Sequence, residues 1–519
     1  MNIILFSSQA EESVPSAQIA TMQPLEESFS YSRNAGVYKI ATEMRNLGHT
    51  VEVIDFLVYW PDDDIKNLLN DRIPYVDVVG WSAQFFFDFN FYKKWCEYIK
   101  QIKSNIVFIA GGPKVTNLLN FTESKYLIAG YAENAIQDIL DHIEKKSNNL
   151  KFTLVNGAYY VDCAVQYKSD RLPNMVIDYH PSDYLTQHET LTLGTSRGCI
   201  FKCLFCTYPH IGKKKHELQR EGAQTYYDEL LNNYEKWGIT NYYFSDETAN
   251  DDIDKFLDLR DALQKLPFKI DLTGFARLEL LASHRDRWQL YKDIGFTNFH
   301  FGVETFNPAA LKTVGKGYPP EKLQNTLIEL RDYFKDDVFI YLSLIVGLPN
   351  ETLESFNDLT LDWINTKGKD VINGRIIYPL DIHRENPFAV GSEFSRNYMQ
   401  YGYEEMSEKD IEIELSLDPQ LTIEKVHATS KYNILWKNQH WNTFTAERFA
   451  KSIGFTVEWN TNCSVWTRAR ALSVGIPKED IIRLAKKPNI LLKNLFLTGA
   501  HKYKAQYIKN KLSKNWFKT

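Results

Sequence analysis

The chain has 519 residues, a formal charge of −6, 44% hydrophobic residues and 14% aromatics. That length suits about two to four domains, and the charge excludes a uniformly basic nucleic-acid coat. Six cysteines, three of them bunched between Cys199 and Cys206, exclude the spread, even framework of a disulfide-stapled secreted protein.

From the N-terminus, strand-like and helical patterns alternate. "NIILF" reads as a short strand; it lacks the basic leader, long core and cleavage site of an export signal. No stretch reaches membrane-spanning length. With its thiols expected to stay reduced, the protein is expected in the cytoplasm, off the membrane. "GVYKIATEMRNLGH" has helical spacing and a stop at Gly48. "TVEVIDF", "VDVVGWSA" and "NIVFIAGG" read as strands, with "DFNFYKKWCEYIKQIK" as a helix between the last two. The alternation predicts an α/β fold with a doubly wound parallel sheet over residues 1–150.

Ligands of such sheets lie beyond the carboxyl ends of the strands. Gly80, Ser82, Gly111, Gly112, Gly130 and Glu133 stand at those ends, where glycine lets a ligand approach the backbone and also simply makes turns. Together "VVGWSA", "VFIAGGPKV" and "IAGYAEN" resemble the strand-end signatures of cobalamin-binding domains. The resemblance implies that these six residues hold cobalamin. Many members carry an Asp-x-His-x-x-Gly stretch after the first strand. Here that region has no histidine, and His49 is the only one before residue 140. The resemblance therefore implies either cobalamin bound without a protein histidine or a retained fold without cofactor.

After a linker over 151–189, strand–helix units repeat from 190 to 400. The strand candidates are "TLTLGTSRGC", "TNYYFSDE", "FKIDLTGFAR", "TNFHFGVE", "DVFIYLSLIVGLP" and "INGRIIYPL". Such repeats build a parallel barrel or part of one, with chemistry at the carboxyl ends of the strands. Cys199, Cys203 and Cys206 follow the first strand, spaced C-x3-C-x2-C. Thiolates suit zinc or iron–sulfur clusters. A fourth zinc ligand would have to come from His210 or His216, since Cys163 and Cys463 are isolated.

The cysteine spacing, with "YYFSDETAND", "FHFGVETFNPAALKTVGKG" and "SLIVGLPNETLESF" in this order, resembles the radical S-adenosylmethionine (SAM) enzymes and their partial (β/α)6 barrel. The resemblance implies a [4Fe–4S] cluster on Cys199, Cys203 and Cys206, with one iron left open for SAM. It implies Asp246 and Glu247 for the methionine ammonium, Arg277 for its carboxylate, and Glu304 and Thr305 near the ligand. Members often have Ser where Thr305 stands. It also implies Phe205, Gly347, Leu348 and Pro349 beside adenine. Each residue has a plainer role open to it: Asp246 and Glu247 as helix caps, Arg277 in a surface ion pair, Glu304 bonded to barrel backbone.

Asp381, His383, Arg384 and Glu385 leave the last strand together and are weak candidates for catalysis, against an ordinary solvated loop. Residues 401–519 read as a helical domain with helices "EEMSEKDIEIELSL", "TFTAERFAKSIG" and "PKEDIIRLAKK". Arg483–Thr519 holds ten Lys or Arg and no Asp or Glu. That basic tail is either a solvated helical face or a surface for an anionic or carrier-bound substrate, with Lys502, Lys504 and Lys509 as its candidates.

The expected activity is reductive cleavage of SAM, with electrons from a donor such as flavodoxin or ferredoxin, leading to cobalamin-dependent methyl transfer to an unactivated carbon. The alternatives are rearrangement or other hydrogen abstraction on a vestigial cobalamin fold and, from another class, a zinc-binding nucleic-acid adaptor.

Overall fold

The computed structural model describes residues 1–8, 33–55, 57, 60–83, 89–112, 115–120, 123–167, 176–187, 189–206, 222–383, 392–417, 433–454, 456–458 and 505–518. They form two compact units: residues up to Thr186 together with 505–518, and residues from Gln187 to Glu458.

The first unit is built on a seven-stranded sheet. Its strands are β1 (Asn2–Ser8), β2 (Thr50–Ile54), β3 (Val78–Ala83), β4 (Val107–Gly111), β5 (Tyr126–Ala129), β6 (Thr153–Val155) and β7 (Ala158–Asp162), in the order β2-β1-β3-β4-β5-β7-β6. All pairings are parallel except β6 with β7. Every residue of β3 is buried, as a strand covered on both faces requires. Helix Ala35–Asn46 starts where the Asn34 side chain accepts from the Val37 amide. The order reverses between β1 and β3, the crevice where doubly wound sheets take ligands.

The stretch 151–189, expected as a linker, contributes the hairpin β6–β7 to this sheet. Its turn, Asn156-Gly157, has φ of 48° and 84°, the two left-handed residues of a tight hairpin. The end of the chain also belongs here. Residues 505–513 are helical, and Tyr507, Ile508 and Lys511 are buried. Lys511 Nζ lies 3.7 Å from Glu52 and donates to the Val53 carbonyl. Arg72, also buried, pairs with Glu52 at 3.2 Å and donates to the Lys511 carbonyl at 2.6 Å. Burial pulls Lys511 down to about 8. The basic tail is thus not wholly a solvated or partner-seeking face, because its charge at Lys511 is neutralised inside the fold. Lys509 is exposed; Lys502, Lys504, Cys463 and "PKEDIIRLAKK" lie outside the described residues.

The second unit carries β8 (Thr190–Leu193), β9 (Asn241–Phe244), β10 (Asp271–Ala276), β11 (Phe296–Glu304), β12 (Phe339–Val346) and β13 (Gly374–Pro379), parallel and in sequence order. This is the expected six-stranded partial barrel. A short antiparallel strand, Thr456–Glu458, pairs with β13. An aromatic layer joins strands to helices: Phe244 and Phe296 meet Phe256, while Phe299 meets Tyr291 and Phe334. Helices Glu408–Leu417 and Thr443–Ser452 stand where "EEMSEKDIEIELSL" and "TFTAERFAKSIG" place them.

Candidate functional site at the carboxyl ends of the barrel strands

The cysteine loop is anchored from β9. Asp246, just past that strand, has no solvent contact at its carboxylate. It accepts from the amides of Thr195 (2.8 Å) and Ser196 (3.1 Å) and from both their hydroxyls. Its counter-charge is Lys255, at 2.7 Å. Burial alone would raise this carboxyl, but Lys255 and the surrounding donors outweigh it and hold it below the ordinary range. Asp246 therefore fastens the backbone leading to Cys199, and its acceptor positions are taken. That corrects its expected role as an acceptor for the methionine ammonium. It does not cap the next helix either: Asp252 does, accepting from the Asp254 amide at 3.0 Å.

Glu247 is differently placed. One oxygen accepts from the Gly198 amide at 3.0 Å, and burial pushes the carboxyl up to about 7. It remains a candidate for an ammonium ligand.

Cys199, Cys203 and Cys206 are partly exposed thiols outside any disulfide. Cys199 Sγ lies 3.5 Å from Thr248 Oγ1, and burial pushes this thiol up. Cys203 Sγ receives Arg277 Nη1 at 3.4 Å. The Arg277 guanidinium sits 3.8 Å over the Phe201 ring and bonds Glu279 at 2.8 Å. Its Nε is buried without a partner. Arg277 is thus not a surface ion pair: it faces the thiol loop with a donor to spare.

Opposite charges continue from there. Lys316 is fully enclosed; burial lowers it, but Glu304 and then Glu279 outweigh that and raise it. Lys316 pairs with Glu304 at 2.8 Å and also bonds the Gly302 carbonyl. Glu304 ends β11 with φ of 69°, after a register shift that begins at Gly302. Glu279 and Lys316 were not singled out from sequence. Their only signal is position: Glu279 two residues beyond Arg277, and Lys316 in the "VGKG" that follows the fourth strand.

Thr305 is committed to the fold. Its hydroxyl bonds Glu351 at 2.5 Å and Thr360 at 3.1 Å, and accepts from the Asn307 amide. Gly347 has φ of 91°, and a Cβ there would come within 2.5 Å of the Trp436 ring. Its carbonyl accepts from the Tyr403 hydroxyl at 2.7 Å. Leu348 and Pro349 are buried as well. The Gly347 side of this turn is covered by the chain's own aromatics. Phe205, beside Cys206, is half-buried and available. Asp381 is exposed. The His383 side chain, Arg384, Glu385, His210 and His216 lie outside the described residues.

In the first unit the expected cobalamin residues divide. A Cβ at Gly80 would meet Leu5 Cδ2 at 2.4 Å, so this glycine serves packing. Ser82 accepts from Asn34 Nδ2 at 2.8 Å and is buried. Gly112, with φ of 120°, lets its backbone pass close to the Ala83 carbonyl. Gly111, Gly112 and Gly130 leave backbone open to solvent along the carboxyl edge, and Glu133 is buried in a one-turn helix behind them. The open glycines fit the approach of a nucleotide tail.

Among the described residues, no three His, Cys, Asp or Glu side chains are gathered closely enough to hold a single metal ion. In a cluster each thiolate takes its own iron, so the sulfurs need not converge on one point. No helix among these residues is long and apolar enough to cross a membrane.

Residues 193–362 match the sequence profile of the radical SAM superfamily. An uncharacterized methyltransferase of Pyrococcus horikoshii is 24% identical over 326 residues, 59% of this chain and 68% of the relative. A tRNA-2-methylthio-N(6)-dimethylallyladenosine synthase of Helicobacter pylori is 28% identical over 243 residues; the match spans 42% of this chain and 52% of that enzyme. Among solved structures, the radical SAM methyltransferase TsrM of Kitasatospora setae, with cobalamin and a [4Fe–4S] cluster bound, is similar with a TM-score of 0.61. It is 13% identical, covering 97% of this chain and 99% of that one. The same enzyme with tryptophan and a SAM analogue is similar with a TM-score of 0.57 over 78% of each chain. At such identities these likenesses speak to the fold.

Proposed function

From its place among radical SAM enzymes, with an N-terminal domain of cobalamin-binding-like fold, we propose that this chain cleaves SAM reductively and methylates an unactivated carbon with cobalamin as the methyl carrier. The observation that carries the reading is the thiol loop. Asp246 clamps its entry, Arg277 faces Cys203, and Glu247 supports Gly198, all at the carboxyl ends of the barrel strands. The fold of TsrM, whose structure holds both cofactors, supports the cobalamin part.

A [4Fe–4S] cluster, when bound, supplies the electron that breaks the sulfonium C–S bond, and cobalamin supplies a methyl group. The chain's own residues do the positioning. Cys199, Cys203 and Cys206 would ligate the irons, and Glu247, once ionised, would accept from the methionine ammonium. Arg277 would offer its spare donor to the methionine carboxylate. Gly111, Gly112 and Gly130 would admit the cobalamin tail. The partner is a low-potential electron donor such as flavodoxin or ferredoxin, in the cytoplasm.

One observation favours a second reading, radical chemistry without cobalamin. Gly80 and Ser82 are occupied by internal packing and a hydrogen bond. Anaerobic reconstitution with iron, sulfide and hydroxocobalamin separates the two. Cobalamin retained after desalting beside a filled cluster supports methyl transfer, while a filled cluster alone supports the second reading. Changing any one of the three cysteines to Ala abolishes release of 5′-deoxyadenosine. Release from the triple variant overturns both, and a colourless protein with zinc in place of iron and sulfide returns the zinc adaptor.

A further inference from the structure

Along the barrel strands the side chains split into two sets. On β12, Ile340, Leu342, Leu344 and Val346 have no solvent contact, while Ser343 and Ile345 do. On β13, Ile377 is sealed, while Ile376 and Tyr378 are reached by solvent. Tyr243 on β9 and Phe275 on β10 follow the same alternation and face each other at 6.2 Å. Since Phe299 and Phe301 of β11 belong to the helix-facing aromatic layer, the accessible set is the one that lines the inside. Solvent thus reaches the inward face of these strands, a chamber on the inner side of the sheet.

Its chemistry is uniform. None of the accessible lining residues Tyr243, Phe275, Ser343, Ile345, Ile376 and Tyr378 carries a charge. Tyr378 is 39% exposed. Deeper in, burial holds His300 neutral with a pKa of about 3, Nε2 bonding Ser343 Oγ at 2.7 Å and the ring 4.4 Å from Phe275. The ionised groups Arg277, Glu279, Glu304 and Lys316 stand at the strand ends, beside the thiol loop.

We infer that this chamber takes an uncharged aromatic or other flat apolar group of the substrate, held by the Tyr243, Phe275, Ile376 and Tyr378 side chains. The inference rests on the proposed radical reading and names its substrate class. An anionic group seated among these four side chains would lose its hydration and find no counter-charge among them; the anionic substrate suggested by the basic tail does not fit this wall.

The test is equilibrium dialysis of the full-length, reconstituted protein against 2-naphthol and 2-naphthoate, one neutral and one anionic probe of the same ring system. The naphthol is expected to bind at least about tenfold more tightly. Ile376→Trp, which fills the chamber without adding charge, and Ile345→Glu, which adds charge without filling it, are each expected to weaken naphthol by about tenfold or more. Circular dichroism checks that the variants are folded; should Ile345→Glu fail to fold, Ile376→Trp decides alone. Equal affinity for the two probes, no naphthol binding, or unchanged binding in the folded variants overturns the inference. The readout needs no SAM turnover, so 5′-deoxyadenosine release, measured alongside, reports separately on the radical reading.

Discussion

Lys255 and Asp246 lie 2.7 Å apart with neither charged group reached by solvent, and between them they set the backbone course of the cysteine loop. A buried pair of this kind is most costly when one partner is removed. Asp246→Ala leaves Lys255 with Asp251, at 2.6 Å, as its carboxylate partner, and frees the Thr195 and Ser196 amides. We expect a loss of about 3–5 kcal/mol in stability and a fall in iron per chain after reconstitution. Denaturant unfolding and iron analysis check the two effects. Unchanged iron content in a folded variant would separate Asp246 from the loop.

Glu247 gives a pH signature. Burial raises its carboxyl to about 7 from the ordinary 4.5. The folded state thus holds the proton more tightly than the unfolded chain. This group's contribution to stability is fully present below pH 4.5 and is lost as pH rises through 7. Ligand binding runs the other way, because only the carboxylate accepts from an ammonium. SAM affinity, measured by dialysis on the reconstituted protein, should strengthen as pH rises through about 7. In Glu247→Gln that step should vanish, with affinity about tenfold weaker at pH 8.

Gly347→Ala joins two penalties, a φ of 91° and a contact of 2.5 Å with Trp436. Together they should destabilise the second unit by about 2 kcal/mol or more. Tyr403→Phe, which removes the hydroxyl's bonds to the Gly347 carbonyl and to Asn438, should cost about 1 kcal/mol. Thermal unfolding of both variants checks the order; equal losses would contradict the packing account.

Gly80→Ala and Gly112→Ala distinguish scaffold from site. At Gly80 the added methyl meets Leu5 at 2.4 Å, so the loss should appear as stability, roughly 1–3 kcal/mol, whether or not cobalamin is supplied. At Gly112 the methyl also lies on the carboxyl edge, so any bound cobalamin should be lost as well. Cobalamin retention after desalting, set beside unfolding midpoints, reads both.

The strands and their order in the barrel were legible because period and punctuation suffice for parallel units: "SLIVGLPNE" and "FHFGVET" became β12 and β11 at the expected ends. The cysteine loop stood out by its spacing, and its reading came with the strand-end stretches around it. What spacing does not carry is which polar side chain is already committed. Asp246 and Glu247 are neighbours of the same chemical type, and only the fold shows one bonding Lys255 and two hydroxyls while the other accepts from backbone amides. The partners of Thr305 and Gly347 were hidden for the same reason, since Glu351, Thr360, Trp436 and Tyr403 reach them from distant sequence. The β6–β7 hairpin was readable in "VNGAY", a two-residue turn signal passed over inside an expected linker.

The contact between Lys511 and Val53 spans 458 residues of sequence. At a synthesis rate of about 5–20 residues per second, Val53 waits on the order of 20–90 s for its partner to leave the ribosome. During that time the Glu52 and Arg72 side chains lack the segment that covers them, and the whole cysteine-bearing unit is made in the interval. The domain that is translated first is thus the last to be finished, which makes the nascent first unit the stage at which a chaperone would be needed and at which truncated chains would be culled.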